Sequence, residues 1–155
     1  MRLSLLNLRR HPVLVCGVLP PDAAARLERF FDLDIMPVEA VDNVLGFARR
    51  LEGKSALLAV ATNRIDGALL RANPMLKAIC KMVPDYCNID LDACTRARVI
   101  VTNTPDFGSG AVAAAGMAEA AAGNLMAAFG FGRIGGAPKN LLNLDLRCML
   151  GCCGW

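Results

Sequence analysis

Short, largely apolar runs punctuate the first hundred positions: V-L-V-C at 13–16, A-L-L-A-V-A at 56–61, L-K-A-I-C-K-M at 76–82 and V-I-V-T at 99–102. Runs of this length, bounded by Pro, Gly, Asp or Asn and lacking one-sided alternation, predict strands buried on both faces of a parallel sheet. Between them the period changes. Over 22–31, Ala24, Leu27 and Phe31 share one helical face while Arg26 and Arg29 turn outward, and Asp22 stands where an N-cap is wanted. A short strand follows at 33–36. A helix from Asp42 through Leu51 is closed by Gly53, which suits a left-handed cap. Further helices are expected at 66–72 and 90–97. Five β-α alternations predict an α/β fold built on a doubly wound parallel sheet. A ligand of such a sheet lies at the carboxyl ends of its strands, here the loops after Gly17, Ala61, Met82 and Thr102.

The last third reads differently. Residues 110–128 are dominated by Ala, with Met117, Leu125 and Met126 among few large side chains, so a helix with little apolar area per residue is expected. Gly116 and Gly123 weaken it by up to ~1 kcal/mol each. Glycines and a proline over 130–138 predict a loop, and 141–155 an irregular Cys/Gly-rich tail. The division that follows is an α/β domain at 1–106, a linking helix at 107–128 and a remainder at 129–155.

Composition narrows the function classes. The 155 residues are 55% hydrophobic and 20% charged, enough for one sizeable core and far from the composition of disorder. A net charge of +3 without a Lys/Arg run gives no reason to expect nucleic acid or an anionic membrane as partner. Seven cysteines without a C-x-x-C pair, and a single histidine far from Cys148, Cys152 and Cys153, predict reduced thiols and no metal site. Arg9, Arg10 and His11 break the N-terminal apolar stretch into pieces too short for a secretory h-region, so a cytoplasmic protein is expected. No run of ~18 uninterrupted apolar residues predicts a membrane span.

The most informative stretch is 56–106. Asp66 to Leu70 precede Pro74 and Leu76-Lys77; Tyr86, Asn88, Ile89 and Asp90 follow as a group; Val101 to Asp106 read V-T-N-T-P-D. Together these motifs resemble the first domain of the D-isomer-specific 2-hydroxyacid dehydrogenases, nearest to their glyoxylate/hydroxypyruvate reductase branch. The likeness runs from about 13 to 147 and weakens after Asp106. It implies a flavodoxin-like substrate domain of an NAD(P)-dependent oxidoreductase that reduces small 2-keto acids to 2-hydroxy acids.

The resemblance also implies where a second, nucleotide-binding domain would begin. Family members open it with D-L-R-G-K-T-L-G-I-V-G-x-G, and residues 145–154 (D-L-R-C-M-L-G-C-C-G) are similar to its first part, which makes Gly154 the weakly matched cofactor position. A second registration is open at Gly130-Phe131-Gly132-Arg133-Ile134-Gly135, itself a G-x-G-x-x-G, but Pro138 interrupts the helix that should follow. We favour the later registration. It implies a chain truncated at the start of its nucleotide domain and inactive alone, because the family's catalytic Arg, Glu and His lie in and after that domain and none can be placed here. His11, ahead of the first strand, reads as a surface residue.

What remains of the site lies in loops. Family members hold the substrate carboxylate with successive backbone N–H groups of a Val-Gly-Tyr segment, a small anion nest. The substrate-binding positions here are Val83, Pro84 and Asp85: Pro84 lacks an N–H and Asp85 adds a like charge. A later Thr-Glu and Asp fall on Ser109, Gly110 and Ala114, leaving only Ser109 to donate to a cofactor phosphate. Asp90 and Asp92 read as helix caps, Tyr86 as a packed ring, Asn103 to Asp106 as a cleft loop, Cys80 as a small hydrophobe and Cys87, in the loop, as the more reactive thiol of the two. A second reading is a non-catalytic ligand- or protein-binding module, and the Ala-rich helix could make either a homodimer.

Overall fold

The computed structural model describes residues 10–40, 42–60, 62–131 and 138–146. Strands β1 (His11–Cys16), β2 (Phe31–Met36), β3 (Ala56–Ala59), β4 (Ala78–Lys81) and β5 (Ile100–Thr102) form an all-parallel sheet in the order β2-β1-β3-β4-β5. Helices α1 (Pro21–Leu27), α2 (Val44–Leu51), α3 (Gly67–Ala72) and α4 (Leu91–Arg96) connect them, and α5 (Ala111–Ala128) follows β5.

Alternate strand residues feed two cores, which explains the continuous apolar runs. Val13, Val15, Leu58, Cys80 and Ile100 pack on one face with Leu27 of α1 and with Ala118, Ala121, Ala122 and Leu125 of α5. Leu14, Cys16, Leu57, Ile79 and Val101 pack on the other with Phe47 and Leu51 of α2, Leu70 of α3 and Cys94 of α4. The sheet is therefore doubly wound. The strand order turns back between β1 and β3, so the crevice of this fold opens above the carboxyl ends of those two strands. By length and composition α5 could cross a membrane; its Ala113, Ala118, Ala121, Ala122, Leu125 and Ala128 are buried.

Element boundaries depart from expectation for local reasons. α1 stops at Leu27 rather than Phe31, because Phe31 opens β2 opposite His11. Asp22 does not cap α1. Pro20 is the N-cap and Pro21 begins the helix, where a missing N–H is harmless, and Asp22 lies in the first turn. Asn43, not Asp42, caps α2, accepting from the Gly46 N–H at 3.0 Å. Gly53 does adopt φ +74°, as a left-handed cap requires. β3 ends at Ala59 and β4 spans only Ala78–Lys81.

His11 is not a surface residue ahead of the first strand. It begins β1, half-buried, with its ring 4.7 Å from that of Phe129, 6.0 Å from Phe131 and 6.3 Å from Phe31. Burial first, and Lys77 second, lower its pKa below 6.5.

Residues 140–143 seal the free edge of β5, where a loop or tail was expected. The Leu142 N–H donates to the Val101 carbonyl at 2.8 Å, and Leu141 bridges Thr102 in antiparallel fashion. The Asn143 side chain finishes the ladder: its Oδ1 accepts from the Val101 N–H at 2.9 Å and its Nδ2 donates to the Val99 carbonyl at 2.7 Å. An exposed edge is thereby removed from a sheet that would otherwise invite pairing. The rest of the tail, 147–155, lies outside the described residues.

Candidate functional site

The carboxyl ends of β1, β3 and β4 are packed tightly together. Gly17, just past β1, has φ +148°, and a Cβ there would meet Met82 Cε at 2.8 Å and Val60 Cγ2 at 2.9 Å, so only glycine fits. Above this floor, Asn88 ties the loop after β4 to the loop after β3. Its Nδ2 donates to the Thr62 carbonyl at 3.0 Å, to the Asn63 carbonyl at 3.1 Å and to Thr62 Oγ1. The Ile65 N–H returns a bond to the Asn88 carbonyl at 3.0 Å. Asp66 caps α3 through the Ala68 and Leu69 N–H groups, and Asp90 caps α4 through the Ala93 N–H. The Asn88-Ile89-Asp90 group is thus a framework that fixes where residues 82–87 sit.

Those residues are joined in turn to the loop after β5. Asn103 Nδ2 donates to the Pro84 carbonyl at 2.7 Å, and the Thr104 N–H to the Val83 carbonyl at 3.4 Å. Asn124 of α5 donates to the Asn103 carbonyl at 3.2 Å, linking the helix to both loops. The structure therefore brings Val83 and Pro84 together with Asn103 and Thr104. Ser109 stands apart, exposed, beside the open N-terminus of α5, whose N-cap is Gly110.

Asp85 is exposed and folds back on its own turn: Oδ1 accepts from the Cys87 N–H at 3.1 Å and Oδ2 from the Cys87 thiol at 3.4 Å. The Cys87 backbone and thiol hydrogen bonds hold its carboxyl below the usual range, so it is ionised at neutral pH. The same contact, with the charge of Asp85, raises the Cys87 pKa. An elevated pKa suppresses the thiolate, while Cys87 is the exposed one of the free cysteines among the described residues and Cys80 is buried. Burial pushes Cys16 up to about 11, and Cys80 and Cys94 up to about 12. Tyr86 is not packed: its residue is 38% exposed.

Lys81 escaped sequence reasoning. It ends β4 with only 3% of its surface exposed, directly below the loop that carries Val83, Pro84 and Asp85. Burial lowers its pKa, opposed by Asp85, Cys87 and Cys16. Ion pairs join Arg26 to Glu119, Arg50 and Lys54 to Asp34, and Arg64 to Asp66; Lys81 is in none of these. The signal available in the sequence was a cation inside an otherwise apolar strand.

The described residues do not form a dinucleotide cradle. Ser109 is one exposed donor, the acidic positions beside it are Gly110 and Ala114, and Gly132, Gly135 and Gly154 lie outside the described residues. No group of three His, Cys, Asp or Glu among the described residues could hold a metal ion. Away from the strand ends, a groove of about 1010 Å³ follows the outer face of α5, between Arg26, Phe107, Gly123 and Lys139.

The sequence model for "D-isomer specific 2-hydroxyacid dehydrogenase, catalytic domain" matches residues 13–133. The glyoxylate reductase of Korarchaeum cryptofilum is 30% identical over 93 residues, covering 60% of this chain and 28% of that protein. The glyoxylate reductase of Aeropyrum pernix is 31% identical over 101 residues, covering 63% and 29%. Among solved structures, the TT0316 protein of Thermus thermophilus superposes with a TM-score of 0.55 at 28% identity, covering 61% of this chain and 30% of that one. The chain thus spans under a third of the length of the curated relatives it matches.

Proposed function

This chain belongs to the D-isomer-specific 2-hydroxyacid dehydrogenase family, and from that we propose that it supplies the substrate-binding half of an NAD(P)-dependent reductase of small 2-keto acids such as glyoxylate or hydroxypyruvate. The observation that carries this reading is the joining of the 82–88 and 103–110 loops at the carboxyl edge of a doubly wound sheet. On this reading residues 1–106 are the substrate domain, 107–128 link it to a nucleotide-binding domain, and 129–155 lead into that domain. The protein is cytoplasmic, and the groove on α5 is where a second subunit would pack.

The family's chemistry is reduction of the substrate carbonyl by NAD(P)H, assisted by Arg, Glu and His side chains from the second domain. On this reading the cofactor is held by the nucleotide-binding domain, and these 155 residues alone are expected to bind NADH weakly or not at all. Their own task is to orient the acid end of the substrate, through Val83, Pro84, Asp85 and the groups beneath them. Holding that end fixed relative to a hydride donor accounts for catalysis by positioning.

The test is to fuse the whole chain to the nucleotide-binding domain of a relative and follow glyoxylate-dependent NADH oxidation. Activity is expected, and the double change Pro84→Val with Asp85→Gly should raise kcat/KM by at least ~10-fold, or ~1.4 kcal/mol, by restoring one amide donor and removing a like charge. Fused proteins that fold and bind NADH yet reduce no 2-keto acid would refute the reading.

A further inference from the structure

We propose that Lys81 is the residue that holds the substrate carboxylate in this chain, a cation taking over from the backbone amides that the loop has lost; the inference rests on the function proposed above. Lys81 is 3% exposed as a residue, and a cation on a side chain so placed is costly unless a partner compensates it. Its cross-strand neighbour is Ala59, and it joins no ion pair among the described residues. Asp85 is the acid that acts on it through space, and that carboxylate is already engaged by the Cys87 N–H and thiol. A largely buried lysine is therefore kept at the end of a central strand with no carboxylate in direct contact among these ion pairs.

Its position gives that charge a use. Lys81 lies at the carboxyl edge of β4, one strand from the crevice above β1 and β3, and immediately precedes the loop bearing Pro84 and Asp85. With no N–H at Pro84 and a carboxylate at Asp85, consecutive amides cannot form an anion nest there. A lysine needs no such geometry. Its three rotatable donors on a flexible stem can meet a carboxylate in several orientations, and a small 2-oxo acid would complete the neutralisation that Asp85 only begins.

The alternative is that Lys81 serves only as the internal counter-charge of Asp85. Calorimetric titration of the whole chain with oxamate, an anionic analogue of a 2-oxo acid, and with neutral oxamide separates the two. Oxamate should bind and oxamide should not. Lys81→Met should weaken oxamate at least about tenfold without lowering Tm, since a buried charge is replaced by an apolar side chain of similar length. Lys81→Arg should stay within about threefold of wild type, and Asp85→Asn should tighten binding about threefold. Unchanged affinity in Lys81→Met would overturn the role of Lys81 while leaving the functional reading intact. If that variant fails to fold, Asp85→Asn binding no tighter than wild type overturns it instead. Absence of oxamate binding in wild type and Asp85→Asn alike would overturn both.

Discussion

Replacing Asn143 by Ala tests whether a side chain far from the sheet in sequence completes the sheet's edge. The substitution removes the acceptor for the Val101 N–H at 2.9 Å and the donor to the Val99 carbonyl at 2.7 Å. Val101 is 0% and Val99 2% exposed, so water reaches these groups poorly once the amide is gone. Each unsatisfied buried group costs about 1–3 kcal/mol, which sets a range of roughly 2–6 kcal/mol for the pair. We expect about 3 kcal/mol, since the shorter side chain admits some water at the sheet edge. Urea unfolding followed by circular dichroism should show this as a lower midpoint at unchanged slope, and thermal unfolding as a Tm lower by about 6–12 °C. A loss under about 0.5 kcal/mol would refute the reasoning, because it would leave both bonds without measurable worth.

Three further outcomes are expected. Asp90→Ala should destabilise by about 1 kcal/mol in urea, the usual loss for an N-cap, here the acceptor from the Ala93 N–H at 2.9 Å. Because burial and Lys77 lower the His11 pKa, the fold prefers the neutral ring; the stability this gives is complete above the unfolded value of 6.5 and is lost as pH falls through the folded value. Urea midpoints at about pH 7.5 and about pH 5.5 should therefore differ in wild type and differ less in His11→Phe. Peptide-resolved iodoacetamide labelling should be faster at Cys87 in Asp85→Asn than in wild type, since Asp85 is what raises that thiol's pKa.

The sheet was legible because its strands are buried on both faces, and V-L-V-C or V-I-V-T carries that burial in its composition. Asp90 was legible as a cap because a cap needs only a neighbour two or three residues on, and Asp92, read with it, lies in the first turn of α4. What the sequence hid is non-local. His11 reads as a boundary residue until Phe129 and Phe131 are brought against it. Residues 140–143 have no strand pattern of their own, since much of their pairing is made by one side chain amide. At the candidate site, Pro84 and Asp85 could be seen as departures from an amide nest. The turn of Asp85 onto Cys87 and the burial of Lys81 below it required the packed structure.

The most direct test of the central claim is amide chemical-shift mapping of the whole isotope-labelled chain titrated with hydroxypyruvate. If the carboxyl-edge loops hold the acid end of a 2-keto acid, the largest saturable changes fall on residues 82–88 and 103–110, and neutral glycerol at matched concentration produces none. Saturable changes confined to the α5 groove, or no saturable change at all, would contradict the account.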